Sequence, residues 1–194
     1  MKELTKIAKD LSFRLHNGQF YDQNKNIPYE FHINQVVDLV SNYGFIAEMI
    51  AYLHDTIEDT KITEHSLESK LVVLMYELNI DILSPYIKSI SRKIAHAVYL
   101  LSDEDGENRK ERKIKTNYKL LTISDDFLVV LIVKISDRIA NMQYSYDNDN
   151  EPKMKMYFKE FEEFRKAVYR NNLPSILLYK LDKIYEDTRI KLNK

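Results

Sequence analysis

The chain has 194 residues, with 29 Lys and Arg against 30 Asp and Glu, 44% apolar and 30% charged residues, and no cysteine. That length suits one domain of roughly 100–200 residues, which buries about 70% of the surface its unfolded form exposes, and the composition is that of a globular rather than a disordered protein. Disulfides, thiolate zinc sites and cysteine nucleophiles are excluded. The formal net charge of −1 gives no global pull toward DNA or RNA, and the longest apolar run, Phe127–Val133, falls far short of the ~20 residues a membrane helix needs.

The opening stretch MKELTKIAKDL mixes charges with single apolar residues, which is not a signal-peptide pattern, so the expected location is the cytoplasm. Leu4, Ile7, Ala8 and Leu11 form a first helical face. Pro28 suits the first turn of a helix carrying Ile33, Val36, Val37 and Val40, and Gly44 suits its C-terminal cap. Apolar spacing then predicts helices over Phe45–His54, Leu67–Leu78, Pro85–Leu101 and Glu107–Leu121. Asp125–Met142 is the most apolar candidate, a helix rather than a buried strand because Ile135, Ile139 and Met142 continue the run at spacings of three and four. Asp147–Pro152 reads as a polar loop, followed by a helix with Met154, Phe158, Phe161, Phe164 and Val168, then one with Leu177, Leu178, Leu181 and Ile184. Three glycines and four prolines are too few for a strand-rich fold. The expectation is an all-α bundle of about nine helices in a single domain spanning residues 1–194.

Ala51–Thr60 ends an apolar helix with six polar or ionisable residues out of ten. His54 and Glu58 are four apart, as are Asp55 and Asp59, so each pair shares a helical face. Imidazole and carboxylate are ligands of divalent zinc, manganese and iron. Adjacent helical residues point about 100° apart, so His54 and Asp55 reach one ion only in a cleft or at a helix end. Taken alone, an amphipathic helix ending in a solvated acidic turn explains the segment equally well. In Val133–Met142, Lys134, Asp137 and Asn141 share one face of the most apolar helix. An ionised carboxylate there is costly unless it is paired or bound to metal, and a buried pair of Asp137 with Arg138 or Lys134 is the bland alternative. His32, near a helix start in Pro28-Tyr29-Glu30-Phe31-His32, says little by itself.

The order histidine, His-Asp, then a distant aspartate resembles the HD phosphohydrolase superfamily. The finer pattern looks like the hydrolase domain of the RelA/SpoT family, closest to stand-alone small alarmone hydrolases: His16-x-Gly18-Gln19, Pro28-Tyr29-x-x-His32, His54-Asp55-x-x-Glu58-Asp59-Thr60 and Lys134-x-x-Asp137-Arg138-x-x-Asn141-Met142. Leu101-Ser102 and Asn108–Lys113 resemble a segment lying between the last two motifs. The resemblance covers residues 5–146, with 151–194 as a helical extension. It implies a manganese-dependent pyrophosphohydrolase that removes the 3′-diphosphate of alarmones such as ppGpp. His32, His54, Asp55 and Asp137 match the metal ligands; Glu58 and Asp59 match an acidic pair that activates or orients the attacking water. Asn141, with Lys134 in the same motif, falls on the substrate side. The metal is expected to activate that water and to neutralise phosphate charge.

Between Gln19 and Pro28 the family usually carries an Arg-Lys pair that packs on guanine. Tyr21 and Asp22 stand there instead. Tyr21 offers a ring to stack on a base, Asp22 reverses the charge, and Lys25 is assigned the missing cation from a shifted loop. Base choice is therefore open between guanine and adenine. Arg109, Lys110, Arg112, Lys113, Lys115 and Lys119 surround one acidic residue, Glu111. Most such runs are solvated faces; Arg109 and Arg112 are the first candidates to face phosphates. Two readings compete with the alarmone hydrolase: an HD phosphohydrolase on another phosphorylated nucleotide, and a non-catalytic nucleotide-binding regulator. No synthetase domain is expected after the last motif. The aromatic stripe of residues 151–194 suits either packing that completes the domain or a homo-oligomer interface.

Overall fold

The computed structural model describes residues 2–77 and 84–193. Among the described residues apolar spacing becomes helix. Among the described residues there are nine α-helices of nine residues or more and one single turn. The chain folds as two compact units, Met1–Asp103 and Glu104–Lys194.

In the first unit, α1 (Lys2–Leu15) buries Leu4, Ile7, Ala8 and Leu11. A short antiparallel hairpin follows, β1 (Phe20–Asp22) with β2 (Ile27–Pro28). Then come α2 (Glu30–Val40), α3 (Phe45–Leu53), the single turn α4 (Thr56–Asp59), α5 (Glu64–Glu77) and α6 (Ser84–Leu101). The short helix α3 buries Ala47, Met49, Ile50, Ala51 and Leu53, so it is apolar nearly all round and sits inside. It packs against α1, α2 and α6, while α5 packs on α6 and α1. Burying each of Met49, Ile50 and Leu53 contributes about 1.5–3 kcal/mol.

Three local expectations change. Pro28 lies in β2 rather than in the first turn of α2, which begins at Glu30. Gly44 is not the direct cap of α2: a 3-10 turn, Ser41–Tyr43, intervenes, and Gly44 at φ 90° precedes α3. The hairpin is the third difference. It closes on an Asx turn, in which the Asp22 carboxylate accepts from the amides of Asn24 and Lys25 at 3.0 and 3.3 Å, with Asn26 in the left-handed region that asparagine tolerates. The predicted end of α5 at Leu78 lies outside the described residues.

In the second unit, α7 (Arg109–Leu121), α8 (Leu128–Asp147), α9 (Glu151–Val168) and α10 (Ser175–Leu192) pack together, with α9 against α7, α8 and α10 and α8 also against α10. The apolar run Phe127–Val133 is indeed helix from Leu128 on. The expected loop shrinks to Asn148–Asn150, because the Asn150 side chain caps α9 by accepting from the Lys153 amide and Pro152 fits the first turn. Phe158 and Phe161 stack on Tyr185 at 5.0 and 3.8 Å between centroids, and Phe161, Phe164 and Leu177 are buried. The aromatic stripe is thus packing within this unit. No helix among the described residues is long and apolar enough to cross a membrane.

Candidate active site and metal centre

The segment around His54 does not run on as one helix. The α3 helix stops at Leu53 and α4 starts at Thr56. The Thr56 hydroxyl donates to the Leu53 carbonyl at 2.7 Å, satisfying a helix-end acceptor and fixing the corner. His54 and Asp55 occupy that corner, a helix end, where neighbouring residues can converge. The Asp55 Oδ2 atom lies 3.0 Å from His54 Nε2.

His54 and His32 are both buried, at 3% and 1% exposure. The Ala51 carbonyl lies 2.7 Å from His54 Nδ1. A carbonyl only accepts, so Nδ1 carries the proton and Nε2 presents its lone pair. His32, in the first turn of α2, brings its Nε2 to 3.2 Å from His54 Nε2 and 3.6 Å from Asp55 Oδ2. Neighbouring ligands on an octahedral ion with bonds of about 2.1 Å stand about 3 Å apart. Two imidazole nitrogens and a carboxylate oxygen at 3.0–3.6 Å therefore fit a divalent cation in spacing and in donor chemistry. Burial pushes the Asp55 carboxyl up, but the His54 and His32 imidazoles and the Tyr29 hydroxyl outweigh it and hold it well below the usual carboxylate range.

The acidic pair divides between two anchors. Glu58 Oε2 accepts from the Asp103 amide at 2.9 Å. Asp59 turns to the Tyr29 hydroxyl at 2.5 Å, and the same hydroxyl lies 2.7 Å from Asp55 Oδ2. Burial, then the charge of Asp55, raises the Asp59 carboxyl above its ordinary value. The same burial and the two carboxylates push the Tyr29 phenol far up, so it stays a neutral donor. The motif histidine His16 stacks face to face on Tyr29, 4.6 Å between centroids and 7° between planes. Sequence reasoning assigns no role to Tyr29 or His16. Only their place inside the matched motifs marks them.

The hairpin sets Tyr21 against the site. Its ring stacks on the His32 imidazole at 4.7 Å and 3°. Asp22 closes the turn, and Lys25 stands exposed at its tip.

In the second unit, Lys134, Asp137 and Asn141 do share a face of α8. Asn141 Nδ2 donates to Asp137 Oδ1 at 2.5 Å, and Lys134 Nζ stands 3.9 Å from Oδ2. Of the two bland alternatives, the Asp137–Lys134 pair is the one present, at 3.9 Å, and the Asp137–Arg138 pair does not form. Arg138 points to Glu160, 3.1 Å away, and its guanidinium lies over the Tyr157 and Phe164 rings. Arg109 binds the same Glu160 through Nε at 2.6 Å and Nη2 at 3.2 Å. Much of the basic run is likewise paired: Lys115 with Glu111 and Lys119 with Glu104. Arg112 is half-buried near the start of α7.

No protein-family model matches the chain. A solved structure described as a metazoan ortholog of SpoT that hydrolyzes ppGpp and plays a role in starvation responses is similar, with a TM-score of 0.73 and 17% identity over 97% of this chain and 96% of that one. At that identity the likeness is one of fold. The all-α class expected from the apolar spacing is the class found, and the chain shares the fold of that hydrolase over nearly its whole length.

Proposed function

We propose that the chain is a metal-dependent hydrolase that removes the 3′-diphosphate of ppGpp, or of its adenosine counterpart, as pyrophosphate, and that it acts in the cytoplasm with Mn2+. The observation that carries this reading is the convergence of His32 Nε2, His54 Nε2 and Asp55 Oδ2 at 3.0–3.6 Å beside the acidic turn Glu58-Asp59. The ppGpp hydrolysis attributed to the fold neighbour supports the substrate class.

In this reading His32, His54 and Asp55 hold the cation, and Asp137 joins them as the ligand its motif implies. A divalent cation held by such residues offsets phosphate charge and lowers the pKa of water. Water adds to the phosphorus attached to the 3′ oxygen, the bond from that phosphorus to the 3′ oxygen breaks, and the 3′ oxygen leaves as a hydroxyl, taking up the proton that Glu58 removes from the water. Glu58, oriented by the Asp103 amide, takes the proton of the attacking water, and Asp59 helps to orient that water. Asn141 and Lys134 act on the substrate side, with Arg112, Arg109 and Lys25 as further cations and Tyr21 near the base.

Product analysis tests this. Protein loaded with Mn2+ is incubated with ppGpp, ppApp and a panel of ordinary nucleotides. Pyrophosphate released from either alarmone and abolished by chelator supports the reading and reports base choice. Phosphate released only from another nucleotide keeps the chemistry and discards the substrate. Metal binding without any turnover discards the hydrolase in favour of a nucleotide-binding regulator. In the same assay Asp137→Ala loses bound metal, whereas Glu58→Gln keeps metal and loses turnover; full activity of Glu58→Gln excludes its role as base.

A further inference from the structure

The geometry points to Tyr29 as a positioning residue that sets the catalytic carboxylate Asp59 against the metal-side carboxylate Asp55, with His16 and Gln19 as the frame that holds it. This deepens the hydrolase reading and rests on it for the reaction, though not for metal binding.

One phenolic oxygen lies 2.7 Å from Asp55 Oδ2 and 2.5 Å from Asp59 Oδ2. Two carboxylates repel one another, and the single phenol proton shared between them is what lets them stand this close. A ring needed only for packing has no use for that hydroxyl, because phenylalanine fills the same volume. The ring itself is held on several sides. It stacks on His16 and meets the edges of Tyr21 and His32 at 6.2 and 5.9 Å.

His16 is held in turn. It is 1% exposed, and its Nδ1 lies 2.7 Å from Gln19 Oε1. An amide oxygen only accepts, so Nδ1 is the donor. The buried Nε2 has no hydrogen-bond partner among the described residues, so His16 supports Tyr29 through its ring face. Gln19 then closes the circuit. Its Nε2 donates to the Asp59 carbonyl at 3.0 Å, and its own carbonyl accepts from the Tyr29 amide at 3.2 Å. Tyr29, His16, Gln19 and Asp59 form a closed ring of contacts joining the end of α1, the foot of the hairpin and the acidic turn. Gly18, at φ 81°, supplies the left-handed turn between His16 and Gln19 that side chains other than glycine's rarely permit.

The test uses the full chain with Tyr29→Phe, Asp59→Asn and the double variant. Two readouts are taken: affinity for Mn2+ alone by calorimetry, and kcat and KM for ppGpp. Residues that orient metal ligands and catalytic groups typically matter about 10–100-fold. Tyr29→Phe is expected to weaken Mn2+ binding about 10-fold, through Asp55, and to lower kcat about 10–100-fold with KM nearly unchanged. Because Tyr29 works through Asp59, adding Tyr29→Phe to Asp59→Asn lowers kcat by less than about threefold more. A Tyr29→Phe protein with wild-type affinity and kcat overturns the proposal, and so do kcat losses that multiply fully in the double variant. If the wild type binds Mn2+ but leaves ppGpp intact, the substrate reading fails and the affinity readout alone decides on Tyr29. If Tyr29→Phe does not fold, 3-fluorotyrosine placed at position 29 gives a 19F resonance that Asp59→Asn must shift; an unmoved resonance overturns the proposal.

Discussion

Replacing Glu160 should cost the fold more than any surface charge can. The Glu160 carboxylate accepts from Arg109 at 2.6 and 3.2 Å and from Arg138 at 3.1 Å. Arg138 is 6% exposed, and its remaining neighbours are the faces of Tyr157 and Phe164, 4.9 and 4.4 Å from its carbon. Those cation–π contacts are worth about 0.5–2 kcal/mol each and cannot stand in for a carboxylate. Removing one partner of a buried ion pair costs about 3–5 kcal/mol, because the other charge stays buried alone. The exposed side of Arg109 adds at most about 1 kcal/mol. Glu160→Ala is therefore expected to lose about 3–5 kcal/mol in urea titration followed by circular dichroism, a fall in Tm of about 6–20 °C for a chain of this size. Glu151, whose partner Lys155 is as exposed as it is, is the control, and its alanine variant should unfold like the wild type. Acid titration adds a second signature. Burial raises the Glu160 carboxyl, but Arg109 and Arg138 outweigh it and hold it below its ordinary value of 4.5. A depressed carboxylate contributes stability that is present above the unfolded pKa and is lost as pH falls through the folded one. The wild type should thus weaken below about pH 4.5, with a shallower decline in Glu160→Ala. A Glu160→Ala protein within about 1 kcal/mol of wild type refutes the reasoning.

Burial pushes the Tyr157 phenol up from 10.0 to about 12, so the fold keeps it neutral while the unfolded chain ionises. Stability should fall between those two pH values and fall less in Tyr157→Phe, measured by alkaline denaturation. Arg170 donates to the carbonyls of Leu120 and Leu121 at the end of α7 and of Ala167 and Tyr169 at the end of α9. Arg170→Ala should lose about 1.5–3 kcal/mol in urea titration, since four helix-end acceptors lose one charged donor. Gly44 sits at φ 90° with open space where a Cβ would stand, so Gly44→Ala should cost about 1–2 kcal/mol from backbone strain alone. A neutral result there means the turn adapts.

The helices were legible because apolar spacing of three and four survives any tertiary context. Leu4, Ile7, Ala8 and Leu11 are buried together as their spacing requires, and Leu128–Val133 is helical because Ile135, Ile139 and Met142 extend its period. The errors fall where spacing carries no signal. The hairpin has five strand residues, too few for alternation to register, and its turn depends on an Asp22 side chain bonding the backbone. Pro28 looks like a helix start because proline suits the first turn of a helix and the first residues of an edge strand alike. Gly44 lies at a genuine break, but a 3-10 turn of Ser41–Tyr43 moves its service from α2 to α3.

The chemistry divides along the same line. Donor types close in sequence could be read: His54 with Asp55, Glu58 with Asp59, and Lys134, Asp137 and Asn141 on one face. What pairs with what across the fold could not. Counting charges along α7 leaves six cations for a phosphate, because the carboxylates that answer them lie elsewhere: Glu160 on α9 for Arg109, and Glu104 before the helix for Lys119. A phosphate that engages Arg109 must compete with a bidentate carboxylate already in place, so the run offers far less free charge than its composition suggests. Tyr29 shows the opposite case. Its side chain has no ionised form near neutral pH, so no search for charges or ligands selects it. Yet its one hydroxyl, between Asp55 and Asp59, sets the spacing on which the acidic turn depends. Donors to carboxylates are as much a part of such a site as the carboxylates are, and they become visible only once the fold has brought the two together.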